Sequence, residues 1–457
     1  MKIAAIIAEY NPFHNGHKYL IEETRRLTGA DYMLAVMSGN FVQRGAPALC
    51  NKYLRTRMAL SCGADAVIEL PALYALSSAE FFASGSISLL NQLGVVDVLA
   101  FGSESGNLSS LTKAAELLCD ASLLDSSRIS ALLKAGCSYP AARAQTLSEL
   151  QHANNPPFYT SGSDKTNACS NMDSFTDLFS APNNILGIEY CKALKLSGSP
   201  IIPFTLQRAG SGYHSNELSE DVSSFGSASA IRKALETNDS NNISQQNSDS
   251  PSALSSDVSV RLSAIASHVP DAVFTLMQEN KLASTYLTAD DFSSLLHYKL
   301  LCEQAAGFSK YLDCTPDLSD KICKYLPEFT TVSDFTARLK SKDLTYTRIS
   351  RVLFHILLNM TYPDWYEDFP HTHKLSAPYA RLLGFREDAL PLLSAIGKNS
   401  SVPLISKLAD ASSYLDACTY KLLEQDIFCA SVYETVRFHK TGMPTLNEFR
   451  QSPIKIS

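Results

Sequence analysis

Two histidines bracket an asparagine and a glycine at His14-Asn15-Gly16-His17, just after the apolar run Ile3-Ala4-Ala5-Ile6-Ile7-Ala8. The run reads as a short strand, Asn11 and Pro12 as a turn, and the tetrad as a helix start. The N–H groups and dipole of a helix N-terminus attract anions. Two imidazoles can donate hydrogen bonds to phosphate oxygens as charge builds on them. Gly16 has no side chain, so a ligand can approach the backbone. The chemistry that fits is the binding and reaction of a nucleoside triphosphate. The plainer alternative is a capped, solvated helix start. Position favours the first reading, because a first β-to-α junction is where open α/β sheets bind ligands.

Other segments could complete such a site. Ser38-Gly39-Asn40-Phe41-Val42-Gln43-Arg44-Gly45 follows the second apolar run, and its Asn40, Gln43 and Arg44 could meet an anionic or polar substrate. Phe101-Gly102-Ser103-Glu104 follows the fourth run, where Gly102 would let the backbone pass close to a ribose or base. Pro182-Asn183-Asn184-Ile185-Leu186-Gly187 reads as a helix start with an asparagine cap. Arg208 lies just beyond the run Ile201–Leu206, from where its guanidinium could bind phosphate. In Ser227-Ala228-Ser229-Ala230-Ile231-Arg232, two hydroxyls at a helix start and an arginine one turn on could grip β,γ-phosphates. The alternatives are a turn glycine, a serine cap and a surface arginine.

These residues need a frame. Apolar runs at Lys2–Ala8, Tyr32–Met37, Ala66–Leu70 and Val95–Phe101 alternate with helical patterns at His17–Thr28, Tyr53–Cys62 and Ser78–Leu93. That alternation predicts βαβ units and a parallel sheet. Ile201–Leu206 and the helix Ser227–Leu235 extend it. Gln151–Ser180 is a polar insertion, and the Ser/Asn/Gln-rich stretch Glu236–Asp257 reads as a linker. From Val258 helical periodicity dominates, at Asp291–Gln304, Asp320–Leu326, Val332–Leu339, Tyr346–Thr361 and Ala411–Ile427. The expected organisation is an α/β domain over 1–237, a linker over 238–257 and a mainly helical domain over 258–457.

The 457 residues are too many for one typical domain. No apolar run approaches the roughly 18–20 residues of a membrane span. Eleven cysteines with no Cys-x-x-Cys pair suggest reduced thiols and a cytoplasmic protein. No Cys/His cluster has metal-ligand spacing, so no protein-held metal is expected. A net charge of −7 confines any nucleic-acid contact to a local basic patch. One candidate patch holds Arg338, Lys340, Lys342, Arg348 and Arg351 with Tyr346, against the single acid Asp343. It could meet a phosphate backbone, or be a solvated helix face.

The tetrad resembles the HxGH signature of the nucleotidylyltransferase superfamily. With Glu9-Tyr10-Asn11-Pro12-Phe13-His14-Asn15-Gly16-His17, the Ser38–Gly45 segment, Gly63-Ala64-Asp65, Ile68-Glu69-Leu70-Pro71, Pro182–Gly187, Ser229-Ala230-Ile231-Arg232 and Tyr346–Arg351 together, the chain resembles the bacterial tRNA(Met) cytidine acetate ligases. The resemblance covers most of the chain. It implies a Rossmann-like nucleotidylyltransferase domain with a helical partner domain. It also implies a reaction: ATP and acetate give an acetyl-adenylate and pyrophosphate, and the wobble cytidine of elongator tRNA(Met) then takes the acetyl group on N4. By the same resemblance the ATP contacts are Ile7, Ala8, Glu9, Tyr10, Asn11, Pro12, Phe13, His14, Asn15, Gly16, His17, Lys18, Tyr19, Leu20, Gly102, Asn183 and Arg208. His14, His17, Ser229 and Arg232 are the catalytic candidates, and Arg348 and Arg351 the candidates for tRNA. Mg²⁺ is expected with the ATP, carried by nucleotide and water. No membrane and no protein partner are expected. Ala46 departs from the family pattern, which has an acidic residue after Arg44-Gly45.

An adenylyltransferase for a small phosphorylated metabolite would need the same HxGH and Ser-x-x-Arg elements. The long helical half argues against it, and intact His14, His17, Ser229 and Arg232 argue against a non-catalytic RNA-binding relic.

Overall fold

The expected apolar runs are strands of one sheet in a computed structural model of the chain. The structure describes residues 1–119, 175–208, 226–236, 261–362 and 377–457, with isolated positions at 132, 145, 146 and 149. Most of the polar insertion and nearly all of the linker lie outside the described residues. The strands are β1 (Ile3–Ala8), β2 (Tyr32–Ser38), the short pair β3 (Phe41–Val42) and β4 (Ala46–Pro47), β5 (Ala66–Leu70), β6 (Val98–Ser103) and β7 (Ile202–Gln207). Three more follow late in the chain: β8 (Ala380–Arg386), β9 (Leu404–Ile405) and β10 (Ile454–Ile456).

The sheet order is β10-β8-β5-β2-β1-β6-β7, with β9 beside β8. β1 pairs in parallel with both β2 and β6, and β6 in parallel with β7. Chain order therefore reverses around β1, which opens a crevice at the carboxyl ends of β1 and β6. Helices cover both faces, so the central strands are buried through and read as continuous apolar runs.

Helix α1 (Asn15–Thr28) begins at the tetrad and ends at Gly29, whose φ of 68° is left-handed. Helix α2 (Lys52–Ser61) is capped by Asn51, whose side chain accepts from the Leu54 N–H.

The expected break near residue 258 is not a break in the sheet. The later part is mainly helical, but β8 pairs antiparallel with β5 and β10 parallel with β8. Leu262, Ile265, Val273 and Met277 also join a core that holds Ile21, Leu54 and Met58. Sequence periodicity reports which segments are strands and is silent on which distant strand each will pair with.

A buried charge cluster ties the two parts together. Lys52 Nζ lies 2.9 Å from Glu69 and 2.8 Å from Glu448, and Arg381 lies 3.0 Å from Glu69 and 2.6 Å from Glu448. Phe41, in the β3–β4 hairpin, packs among Phe292, Phe354 and Tyr433 of the helical part. Burying such an aromatic contributes about 1.5–3 kcal/mol, enough to fix the hairpin against the helices.

Candidate active site

A cavity of about 820 Å³ opens at the crevice. It is lined by the end of β1, His14 and His17, the hairpin residues Gln43 and Arg44, Gly102, Asn183, Arg208, Ser229 and Arg232. Segments far apart in the chain thus converge on one space.

His14 and His17 shape its anion-binding end. His14 is buried and His17 half-buried, and their rings stack with centroids 3.7 Å apart. The His14 Nδ1 accepts from the Gly16 N–H at 3.1 Å. The His17 Nδ1 accepts from the His14 N–H at 3.2 Å, which closes a capping box. Burial pushes the His14 pKa down to about 3, with Arg208 and Arg232 adding to the shift. Burial, then His14 and Arg208, lower that of His17 as well. Both rings are therefore neutral near pH 7. With each Nδ1 occupied as an acceptor, the remaining proton sits on Nε2. The pair offers two N–H donors without a charge to desolvate.

Arg208, Arg232 and Arg44 supply the charge. Arg232 donates to the Asn11 carbonyl at 2.6 Å and to Ser229 Oγ at 3.1 Å. Ser227 is the cap of the Ala228–Glu236 helix, accepting from the Ala230 N–H at 3.0 Å. So Ser229 and Arg232 are free of capping duty and face the cavity with their neighbours. Burial disfavours the charge on Arg208 and Arg232, and Arg44 adds repulsion to both. Guanidinium groups stay protonated in proteins, so three cations face the histidine pair, with Glu104 beside Arg208 and Glu9 beside Arg232 partly offsetting them.

Gly102 lies against Arg208, where a Cβ would come 3.2 Å from Arg208 Cγ. Asn183 is not a helix cap: Pro182 opens the Pro182–Ser197 helix and Ala181 precedes it with no side-chain bond. Instead Asn183 Nδ2 donates to Glu104 at 2.7 Å. Glu9 accepts from the Gln43 N–H at 2.9 Å, so the loop after β1 holds the hairpin that carries Arg44.

Several expected site residues lie off the cavity. Of the expected ATP contacts, Tyr10 and Phe13 are buried in the core, Asn15 donates to the Ser267 carbonyl, Lys18 pairs with Glu22, Tyr19 is exposed, and neither Pro12 nor Gly16 lines the cavity. Asn40 is buried, accepts from the Lys52 N–H at 2.8 Å, and does not line the cavity. Arg351 is not presented to solvent: its side chain is 12% exposed, 3.9 Å from Asp313. Arg348 is half-buried on the same helix, Tyr346–Leu357. Tyr286, Asp290, Asp291, Ser333 and Lys440 also line the cavity and come from the helical part. Nothing in the spacing of these residues marked them, since only the fold brings them to the rim. Among the described residues, no group of three or more His, Cys, Asp or Glu side chains could hold a metal ion. Among them too, no helix is long and apolar enough to cross a membrane.

A profile of the HIGH nucleotidyl transferases matches residues 1–444. The tRNA(Met) cytidine acetate ligase of Acetivibrio thermocellus is 35% identical over 465 residues, covering 99% of this chain and 100% of the relative. That of Clostridium perfringens is 34% identical, with 99% of each chain covered. The chain belongs to the tRNA(Met) cytidine acetate ligase family. The crystal structure of Thermotoga maritima TmcAL bound with alpha-thio ATP is similar over the full length of both chains, at a TM-score of 0.81 and 25% identity. Its apo form gives 0.83. A nucleotidyl transferase family accounts for a cavity whose donors and arginines suit a triphosphate.

Proposed function

We propose that the chain is an ATP-dependent ligase that joins acetate to the N4 amino group of the wobble cytidine in elongator tRNA(Met). The observation that carries this reading is the convergence of His14, His17, Ser229, Arg232 and Arg208 on one cavity in a member of this family. An acetate oxygen attacks the α-phosphorus, the α–β phosphoanhydride bond breaks, and pyrophosphate leaves. The cytidine N4 then attacks the acetyl carbon; the C–N bond forms, the bond to AMP breaks, and N4 loses a proton.

The residues act by placement and electrostatics. The Nε2–H groups of His14 and His17 and the guanidinium of Arg232 meet charge that grows on the phosphates. Arg44, on the hairpin, suits a carboxylate or the leaving phosphates. Mg²⁺ would be carried by the nucleotide and water and would supply charge that offsets the phosphates, since no cluster of side chains among the described residues could hold it. The helical part, residues 258–457, carries the tRNA surface, with Arg348 at one edge. The protein works in the cytoplasm, where ATP and tRNA meet.

The test is incubation with ATP, Mg²⁺, isotope-labelled acetate and unmodified elongator tRNA(Met), followed by digestion and mass spectrometry. Labelled N4-acetylcytidine, lost in His17→Ala, is the expected result. Absence of label, with pyrophosphate released when other acceptors are supplied, would instead indicate the small-molecule adenylyltransferase.

A further inference from the structure

The loop after β6 and the start of the Pro182–Ser197 helix are locked together by one carboxylate. Glu104 Oε1 accepts from Asn183 Nδ2 at 2.7 Å and from the Asn183 N–H at 3.3 Å. Glu104 Oε2 accepts from the Asn184 N–H at 2.8 Å. In return, Asn184 Oδ1 accepts from the Ser105 N–H at 3.1 Å. Glu104 therefore fills the helix N-terminus, and this end of the cavity is not an anion site. It also fixes the Asn183 amide. A carboxylate only accepts, so the amide must turn its nitrogen to Glu104 and keep its oxygen for the cavity that Asn183 lines. Among the described residues no protein donor reaches that oxygen.

We infer that Glu104 is a positioning residue for nucleoside selection: it holds Asn183 Oδ1 as an acceptor that reads a hydrogen-bond donor on the nucleoside of the bound triphosphate. The inference rests on the ATP-binding reading of this cavity. An adenosine carries two classes of donor, the 6-amino group and the ribose hydroxyls. A site built around a fixed acceptor rejects an analogue lacking the donor, because the buried acceptor is then left unpaired.

The experiment is acetate-dependent ATP–pyrophosphate exchange with ATP, purine riboside triphosphate, 2′-deoxy-ATP and 3′-deoxy-ATP. In the wild type, one analogue should lose at least about 10-fold in kcat/KM, the scale of one unpaired group. Loss with purine riboside triphosphate assigns the 6-amino group; loss with a deoxy analogue assigns that hydroxyl. In Glu104→Gln the new amide can donate to Asn183 Oδ1, which frees Asn183 to turn. The discrimination ratio should then fall to within about 3-fold, the spread expected without the pairing penalty. A purely structural Glu104 would slow every nucleotide equally and leave the ratio unchanged. Asn183→Ala should abolish the ratio with Glu104 intact, and serves if Glu104→Gln does not fold. Equal use of all four nucleotides by the wild type, a ratio unchanged in a folded Glu104→Gln, or a ratio unchanged in Asn183→Ala overturns the inference. Absence of exchange with ATP in the wild type would count against the ligase reading itself.

Discussion

The guanidinium of Arg232 donates to the backbone carbonyl of Asn11 at 2.6 Å. This one bond joins the Ala228–Glu236 helix to the loop that leads into His14, so the two halves of the triphosphate site have fixed spacing. Arg232→Lys keeps the charge but not the fork that spans Asn11 and Ser229. Acetate-dependent pyrophosphate exchange should fall by about 10²-fold or more, with a thermal midpoint within a few degrees of wild type. Wild-type exchange in the variant would remove Arg232 from the reaction.

The histidine pair makes a claim about pH. Burial holds the folded His14 pKa at about 3, against 6.5 in an unfolded chain. As pH falls below 6.5 the unfolded chain binds a proton that the folded one refuses, so stability drops with falling pH. The slope is about 1.4 kcal/mol per pH unit for each such histidine, over the window from 6.5 towards 3. Urea unfolding at pH 7 and pH 5 should show it, and His14→Gln should reduce the pH dependence by that amount. Nitrogen NMR of the wild type should report both rings as neutral, protonated at Nε2.

Gly45 turns the β3–β4 hairpin with φ of 79°, and a Cβ there would overlap the backbone of Ser350 and Arg351. Its carbonyl also accepts from Ser350 Oγ. Gly45→Ala should cost about 2–4 kcal/mol from strain and overlap combined. Exchange should fall too, because Gln43 and Arg44 ride on the same hairpin. A midpoint equal to wild type in a thermal melt would show that the hairpin can shift freely.

The buried cluster of Lys52, Glu69, Arg381 and Glu448 is closely balanced. Arg381→Met leaves Glu69 and Glu448 with one cation between them, and should destabilise the fold by about 3–5 kcal/mol. Chemical denaturation is the measurement. A loss under about 1 kcal/mol would mean that the remaining groups rearrange or take up a proton.

For tRNA, Lys340, Lys342 and Tyr346 are exposed and Arg348 is half-buried, whereas Arg338 pairs with Glu328. The expected experiment is a triple charge reversal at Lys340, Lys342 and Arg348, leaving out Arg351, which is mostly covered and lies beside Asp313. tRNA affinity should drop at least 10-fold at physiological salt while acetate-dependent exchange persists. Unchanged affinity would move the tRNA surface elsewhere.

Local pattern in the sequence determined a good deal. The apolar runs, the helix beginning at the His14–His17 tetrad and the serine-led helix holding Arg232 depend on neighbours a few residues apart, which periodicity and capping chemistry report directly. Relations across long separations were decided only in the tertiary structure. Composition suggested a boundary near residue 258, but β8 crosses it to pair with β5. Asn40 and Arg351 have the side chains of a substrate loop and an RNA patch, yet packing buries Asn40 and leaves Arg351 only 12% exposed beside Asp313. Asn183 reads as a cap until Glu104, from another strand's loop, takes its amide. Tyr286 and Lys440 become cavity residues because the helical part closes over the sheet. A sequence carries residue types and local spacing; which buried group finds which partner is set by whole-chain packing.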